Sequence, residues 1–398
     1  VGPEYKIFEL YKDAELKKRI KPSVMNTKVG TLSKAIAEET LLKEQQPKGS
    51  WGGYSLATLF AVVSLDHYRT YTKDLSTEQI GKTKKAIRDG LEFIDKLYFD
   101  SGDSSYYGVL DDGAYWDSGL ALWALAENGI ENHQRIATSE FLIRQQNSTN
   151  GGFPFGYDFW AFPDIDDTFA IVMGIKDLPQ FKDATQKGLG FVLDRQNKDG
   201  GWGTFDKENN GNPLLKIGAG NVANSADLFD ESEPDVTGHS LELMGKLLPR
   251  EKLDTEMVRK AYKFLQETRN TKIKTWASRW ELNYLFGTFS VVSGLLAVGY
   301  SKNDPLVADA IAWLKILPNE DGGFGETSRS YDDVQFAGKG VSTSSQTAWA
   351  ITTLVDVDEA DSDIVRNGVL YLTRQIEQNG KWIDVSPTGT GHPGILYM

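Results

Sequence analysis

A turn made of a polar residue, one or two glycines and an aromatic residue recurs along the chain, and this recurrence limits the possible folds more than any other feature. It is written as Gly49-Ser50-Trp51, Gly151-Gly152-Phe153, Gly200-Gly201-Trp202, Gly322-Gly323-Phe324 and Gly380-Lys381-Trp382, with weaker copies at Tyr107-Gly108 and Lys274-Thr275-Trp276. The aromatic residues are about fifty residues apart, with one step above seventy, and a period of that size marks a supersecondary unit that buries its apolar face against its neighbours.

Each unit reads the same way. Segments ahead of the turns, at 187–196, 262–270, 310–319 and 368–378, carry apolar residues at i, i+3, i+4 spacing, which predicts amphipathic helices. Segments after the turns, at 55–65, 117–129, 166–175, 235–247, 287–299 and 344–355, are richer in small residues and apolar on more than one face, as closely packed inner helices would be. Six inner and about six outer segments in alternation predict an all-α protein, a single (α/α)6 barrel domain over residues 1–398 with no second barrel. Ser55, Asp117, Asp166, Asp235, Thr288 and Ser344 stand where inner helices need N-caps. The inner N-termini would then face one end and direct partial positive charge there. The longest step holds a Gly- and Asn-rich loop over about 203–234, long enough to imply a function, with Pro213, Leu214, Leu215 and Ile217 expected at the lip of a pocket.

Composition removes several classes of function. Lys and Arg number 43 against 56 Asp and Glu, a net charge of −13, which is the wrong sign for a nucleic-acid footprint or for attraction to anionic lipid. With no cysteine there is no disulfide, thiolate zinc site or cysteine nucleophile. The charged N-terminal stretch VGPEYKIFELYKDAELKKRI lacks the apolar segment of a signal peptide, and its start at Val1 suggests processing or trimming. No run of apolar residues is long enough to span a bilayer. The 10 Trp, 16 Tyr and 19 Phe are enough both to fill a core and to line a pocket.

The chemistry concentrates in Phe162-Pro163-Asp164-Ile165-Asp166-Asp167-Thr168, three carboxylates in an aromatic and apolar setting. Crowded carboxylates at low dielectric cannot all ionise, so one of them should hold its proton above the usual range. A protonated carboxyl beside aromatic walls can protonate a base as weak as an alkene. The plainer readings are an acidic first turn of a capped helix, or a Mg²⁺ site, although the spacing is not that of a calcium loop. His239 lies one helical turn after Asp235; such a pair is more often structural, but on an inner helix it could reach the acid run. Trp116, Phe155, Phe205, Trp280, Tyr284 and Phe286 flank turns or starts of inner helices. Singly each reads as core; together, rings around a pocket stabilise carbocations, at roughly 0.5–2 kcal/mol per contact. No P-loop or dinucleotide fingerprint is present.

These residues carry a family resemblance. FPDIDDT is similar to the Asp-x-Asp-Asp-Thr motif of class II terpene cyclases, closest to the squalene–hopene cyclases. Turns preceded by Gln, Arg195-Gln196 ahead of Gly201-Trp202 and Arg144-Gln145 ahead of Gly152-Phe153, resemble that family's QW repeats. WDSGLALWAL (116–125), EPDVTGHSLE (233–242), SRWELNYLFGT (278–288), DGGFGETSRSYDD (321–333), FAGKGVSTSSQTAWA (336–350) and TGTGHPG (388–394) agree in the family's order over roughly 110–398. The resemblance implies acid-initiated cyclisation of a polyprenyl chain with no metal and no cofactor. It makes Asp166 the proton donor, Asp164 and Asp167 its flanking partners and His239 the residue that holds and activates it. Trp116, Phe155, Phe205 and Trp280 match cavity aromatics.

Three departures from the family pattern bear on the product. The chain matches only the catalytic barrel of a two-barrel family. Phe286 stands where squalene cyclases carry a tyrosine, so proton return is expected through water. His392 and Leu396 replace aromatics that serve late rings, which argues against a pentacyclic product. The chain therefore looks more like the single-barrel meroterpenoid cyclases, acting on a lipophilic prenylated aromatic; a squalene-like or shorter polyprene is the alternative. The expected location is cytoplasmic, and a lipid substrate makes peripheral membrane association plausible, although the acidic charge gives it no support. Class I terpene synthase motifs are not apparent. Protein prenyltransferase β-subunits share the barrel but bind zinc through a cysteine this chain lacks. An (α/α)6 glycosidase with two separated carboxylates and a non-catalytic lipid-binding toroid are the remaining readings.

Overall fold

The computed structural model describes residues 38–51, 55–72, 75–96, 98–100, 106–108, 114–156, 163–208, 230–253, 255–392 and 396–397. They fall into two compact units, Val1–Ala114 with Gly156–Phe159, and Tyr115–Phe155 with Trp160–Met398.

In the first unit, a helical segment over 38–44 leads into the first Gly–aromatic turn, followed by α1 (Ser55–Tyr71) and α2 (Thr77–Lys96). Trp51, Ala61, Val62, Leu65 and Ala86 form its core. A short pair, β1 (Tyr98–Asp100) and β2 (Tyr106–Gly108), takes up the expected weak turn copy at Tyr107-Gly108, which is therefore a strand and not a turn of the repeating kind.

The second unit alternates inner and outer helices. The inner ones are α3 (Ala114–Glu127), α5 (Ile165–Ile175), α7 (Pro234–Leu247), α9 (Tyr284–Ala297) and α11 (Ser344–Asp356). The outer ones are α4 (His133–Ile143), α6 (Lys182–Asp194), α8 (Glu256–Thr268), α10 (Pro305–Leu314) and α12 (Asp363–Asn379). Consecutive inner helices pack on one another, and α6, α8, α10 and α12 each pack on the inner helix that precedes them. Outer helices begin five residues or more ahead of the segments read from apolar spacing; their first turns bury only one or two residues, as in Lys182-Asp183-Ala184-Thr185-Gln186, where Ala184 and Thr185 are buried and the rest exposed. α5, α7 and α9 are buried nearly all round, whereas α3 and α11 keep exposed residues; in α5 every residue except Asp166 is buried.

The same hydrogen bonds rebuild each turn. The aromatic N–H donates to a threonine hydroxyl near the start of the next inner helix: Trp51 to Thr58 at 3.0 Å, Phe153 to Thr168 at 2.9 Å, Trp202 to Thr237 at 3.1 Å and Phe324 to Thr347 at 2.9 Å. Where the aromatic is Trp, its indole N–H caps a carbonyl of the preceding outer helix or its end, at Leu41, Val192, Leu265 and Leu372 for Trp51, Trp202, Trp276 and Trp382. A glutamine amide then ties the turn to the following outer helix: Gln45 to Gly49 O and Ala86 O, Gln146 to Gly151 O and Ala184 O, Gln196 to Gly200 O and Met257 O. In the second of these copies the working residue is Gln146, and not the Gln145 that the Arg-Gln pair points to. Gly200 adopts φ +100°, and a Cβ there would lie 2.5 Å from the Lys260 carbonyl carbon, so the turn requires glycine.

α7 and α9 approach most closely, through Gly238 and Gly294. A Cβ at Gly238 would lie 2.5 Å from the carbonyl carbon of Ser290 and 2.8 Å from Val291 N, backbone atoms that cannot swing aside. Gly238→Ala is therefore expected to cost about 3 kcal/mol of stability, read as a lowered urea midpoint; an unchanged midpoint would show that the two helices are not held at this distance.

Sequence reasoning placed four N-caps one or more residues late. The caps are Asp164 for α5, Glu233 for α7, Asn283 for α9 and Thr343 for α11. Asp166 and Asp235 lie in the first turns, Thr288 further in, and Ser344 opens α11.

Candidate active site

The acid run is fixed before its side chains are considered. β3 (Phe153–Pro154) pairs with β4 (Pro163–Asp164), which ties the second Gly–aromatic turn to the residue that starts α5. Asp164 then caps α5: its Oδ1 accepts the Asp167 N–H at 2.7 Å, and its carbonyl accepts the Thr168 hydroxyl at 2.6 Å. Ile165 N–H donates to Thr204 O at 2.9 Å, joining the start of α5 to the base of the long loop. That base is held by Asp230, which accepts the N–H groups of Thr204 at 2.9 Å and Phe205 at 2.6 Å. The expected lip, Pro213, Leu214, Leu215 and Ile217, lies outside the described residues, as do Phe159, Trp160 and Phe162.

His239 comes onto the acid run. Its Nδ1 lies 2.9 Å from Oδ1 of Asp166, and its Nε2 lies 3.2 Å from the Ser290 hydroxyl. The imidazole is buried, whereas the Asp166 carboxyl keeps 13% exposure. Asp164 and Asp167 are buried beside it. Asp235 does not reach the acid run through a hydrogen bond; it accepts the Ser278 hydroxyl at 2.6 Å and Arg279 N–H at 2.9 Å.

The electrostatics favour protons. Burial pushes Asp164 up to about 7, against its hydrogen bonds with Asp167, and the charges of Asp166 and Asp230 add to the rise. Burial also raises Asp235, with Asp166 adding to it, and carries Glu281 to about 8 with Asp235, Asp166 and Asp384 behind it. Glu233 is pushed well up by burial and by Asp235, with Arg279 3.8 Å away opposing. For His239 burial works against the cation, but the hydrogen bond and charge of Asp166, then Glu242 and Asp235, hold its pKa above the ordinary value. Asp164 and Glu281 bind their protons more tightly folded than unfolded, where carboxyls titrate near about 4. Each therefore stabilises the fold fully at low pH and loses that contribution as pH rises through about 7 and about 8. His239, with a raised folded pKa, acts in the same direction, so the urea midpoint is expected to fall between pH 5.5 and 8.5; a rise over that interval would contradict these burials.

The aromatic residues separate into two groups. Phe286 is buried and stands edge-on to His239 at 5.6 Å. Phe205 and Trp280 meet edge-to-face at 6.1 Å, the Trp280 indole donates to Thr204 Oγ1 at 2.7 Å, and Arg279 lies 4.2 Å above its ring. Trp116 and Phe155 are half-buried, in the first turn of α3 and directly after β3. Tyr284 is the first residue of α9 and buried. His392 ends β5 (Thr390–His392), paired with β6 (Leu396–Tyr397), and the expectation for its side chain lies outside what is described.

Sequence reasoning missed the rings closest to the imidazole. Phe169 stacks on His239 at 4.4 Å and 6°, Trp123 meets Phe169 edge-on at 5.0 Å, and Trp349 meets Phe286 at 4.8 Å. A row Trp123–Phe169–His239–Phe286–Trp349 thus runs across five inner helices. Phe169 three residues after Asp166, and so on nearly the same helical face, is the one signal that could have found it. Among the described residues no group of three or more Asp, Glu or His is arranged to hold a metal ion, and no helix is long and apolar enough to cross a membrane.

The alternating inner and outer helices, with Asp166 paired to His239 among aromatic rings, are what the resemblance to class II terpene cyclases implies. The squalene-hopene cyclase C-terminal domain model matches residues 113–398, and the chain belongs to that family. It is 33% identical over 375 residues to the squalene-tetrahymanol cyclase of Tetrahymena thermophila, covering 91% of this chain and 56% of that protein. It is 32% identical over 386 residues to the squalene–hopene cyclase of Alicyclobacillus acidocaldarius, covering 91% and 58%. The chain thus spans little more than half the length of these relatives. Among solved structures, the ent-copalyl diphosphate synthase of Streptomyces platensis shares the fold with a TM-score of 0.57 at 14% identity, over 92% of this chain and 64% of that one. The type II terpene cyclase MstE of Scytonema, in complex with geranylgeranyl dihydroxybenzoate, does so with a TM-score of 0.50 at 15% identity, over 91% and 83%. The fold class is accordingly the all-α, (α/α) barrel type of the terpene cyclases.

Proposed function

We propose that this chain is a Brønsted-acid cyclase, in which Asp166 protonates the terminal double bond of a folded polyprenyl chain. The observation that carries this reading is the 2.9 Å pairing of His239 Nδ1 with Asp166 Oδ1 inside an aromatic row. The imidazole occupies one carboxyl oxygen, which leaves the other to carry the transferable proton. A positive imidazole on the first oxygen raises the acidity of that proton and withdraws charge from the carboxylate left behind. The proton adds to the alkene and creates a tertiary cation; successive double bonds attack it, forming carbon–carbon bonds, and loss of a proton or capture of water ends the cascade. Ring faces such as Trp280, Phe205 and Trp116 would stabilise the moving charge, and folding of the chain before reaction would set the ring junctions. Asp164 and Asp167 hold the first turn of α5, and the raised Asp164 limits negative charge beside the donor.

The substrate we infer is a prenylated aromatic acid. The fold shared with a cyclase that binds geranylgeranyl dihydroxybenzoate supports it, as does the presence of His392 and Leu396 in place of late-ring aromatics. Squalene is the second reading, favoured by the curated relatives at 32–33% identity. Incubating the protein separately with geranylgeranyl dihydroxybenzoate and with squalene, followed by mass and NMR analysis, decides between them. Cyclised product from the first and not the second is expected; the reverse replaces the prenylated-aromatic reading with the squalene one, and turnover of neither removes the cyclase reading. The expected single catalytic barrel and the peripheral membrane location belong to the same proposal.

A further inference from the structure

α7 is buried along most of its length, yet Asp235, His239, Glu242 and Lys246 fall on it at helical steps of four, three and four residues. Side chains so spaced share one face. Asp235 is taken up by Ser278 and Arg279, and His239 by Asp166. Glu242 has no such anchor: it is 6% exposed, and its Oε2 is buried with no hydrogen-bond partner. A buried carboxyl oxygen without a partner is costly, and nothing in the cyclisation described above uses this one. Across the Gly238–Gly294 approach, α9 presents Ser290 to His239 Nε2 at 3.2 Å and, one turn on, Ser293 to Asp356 at 3.1 Å. The charges acting on Glu242 are His239 and Lys246 of its own helix, Glu127 of α3, which binds Lys176, and Asp356 of α11.

We propose that Glu242 is the second anionic partner of His239 and a positioning residue for the initiating acid, so that the imidazolium is held between Asp166 at its Nδ1 and Glu242 one turn further along α7. The role in initiation rests on the reading of Asp166 and His239 as the initiating pair; the coupling of Glu242 to His239 does not. Burial carries the Glu242 carboxyl up to about 6, with Asp356 and Glu127 adding to the rise and His239 and Lys246 opposing it. Below that pH it is neutral and His239 has only Asp166 as a close counter-ion. Above it, a second negative charge lies beside the imidazolium, which then keeps its proton further into the alkaline range. The two carboxyls thereby favour the charged imidazole.

The test is an NMR titration of the full chain labelled with ¹⁵N-histidine, whose 4 histidines are few enough to assign by loss of the His239 signal in His239→Gln. Glu242→Gln is expected to lower the His239 titration by roughly one pH unit while leaving the spectra superimposable in acid, where the native carboxyl is already neutral. Asp356→Asn removes a charge that opposes Glu242 ionisation and is expected to shift His239 in the opposite direction, by less. An unmoved His239 titration in Glu242→Gln overturns the proposal. Should that variant fail to fold, a lowered or unmoved titration in Asp356→Asn overturns it instead. No substrate is involved, so failure of the cyclase reading leaves this result standing. If the cyclase reading holds, the alkaline limb of kcat/KM moves down with the titration in Glu242→Gln, and an unmoved limb removes the role in initiation.

Discussion

Asp166→Asn abolishes product formation, with an expected loss of at least about a thousandfold in kcat/KM, while the protein remains folded. The amide has the shape of the carboxyl and its oxygen can still accept the His239 N–H, so the geometry of the 2.9 Å contact survives. What disappears is the only acidic hydrogen on that side chain. The amide hydrogens of asparagine are too weakly acidic to protonate an alkene, and no rearrangement of the pocket restores one. Stability should not fall, because an ionised Asp166 opposes ionisation of Asp164, Asp235, Glu233 and Glu281, and the neutral amide adds no such repulsion. The urea midpoint at pH 7 is therefore expected to be equal or higher. Product analysis by mass spectrometry together with that midpoint checks the claim. A variant that kept a tenth of the activity would transfer the donor role to another carboxyl, with Asp164 next in line.

His239→Phe gives the second large effect. Phenylalanine retains a flat ring against Phe169 at 4.4 Å and edge-on to Phe286 at 5.6 Å, so packing is largely kept. The variant removes the N–H on Asp166 and the positive charge beside it. A charge-assisted hydrogen bond of this kind contributes about 1.5–3 kcal/mol; when it acts only as the carboxylate forms, a loss of roughly a hundredfold in kcat follows, with KM little changed. The native enzyme should also lose activity in the alkaline range as His239 gives up its proton, since its pKa is held above the ordinary value by Asp166. The variant has no such limb. A KM change with unchanged kcat would make His239 a wall residue and not an activator.

Much of the fold was legible because the repeat is chemical as well as periodic. A glycine with φ near +90°, an aromatic whose N–H needs an acceptor, and a threonine at the start of the next helix form one hydrogen-bonded unit, and each leaves its mark in the sequence. Where two glutamines follow the arginine, at Arg144-Gln145-Gln146, likeness to Arg195-Gln196 points to the wrong one. N-caps were misplaced for a similar reason. Asp164 and Asp166 are equally good caps by type, and what chooses Asp164 is the pairing of β4 with β3, a contact that local spacing does not encode. The starts of the outer helices were hidden because their first turns bury only one or two residues, too few to set an apolar period.

The candidate site was legible in its polar members only. An Asp-rich run and a histidine stand out in helices that are otherwise apolar, and the fold brings Asp166 and His239 together. Phe169, Trp123 and Trp349 carry no such signal, since an aromatic on a buried helix reads as core until its neighbour is known to be the imidazole. Glu242 was readable in principle as a carboxylate on a buried helix three residues from His239.

The most direct test of the central claim is to run the cyclisation in D₂O and locate the label in the product by NMR. A carboxyl that is reloaded from solvent before each turnover delivers one deuteron to the carbon at the end of the prenyl chain where the cascade begins. The account predicts a single deuterium at that carbon, with no labelled product from Asp166→Asn. Cyclised product with no deuterium there would contradict initiation by a protein acid.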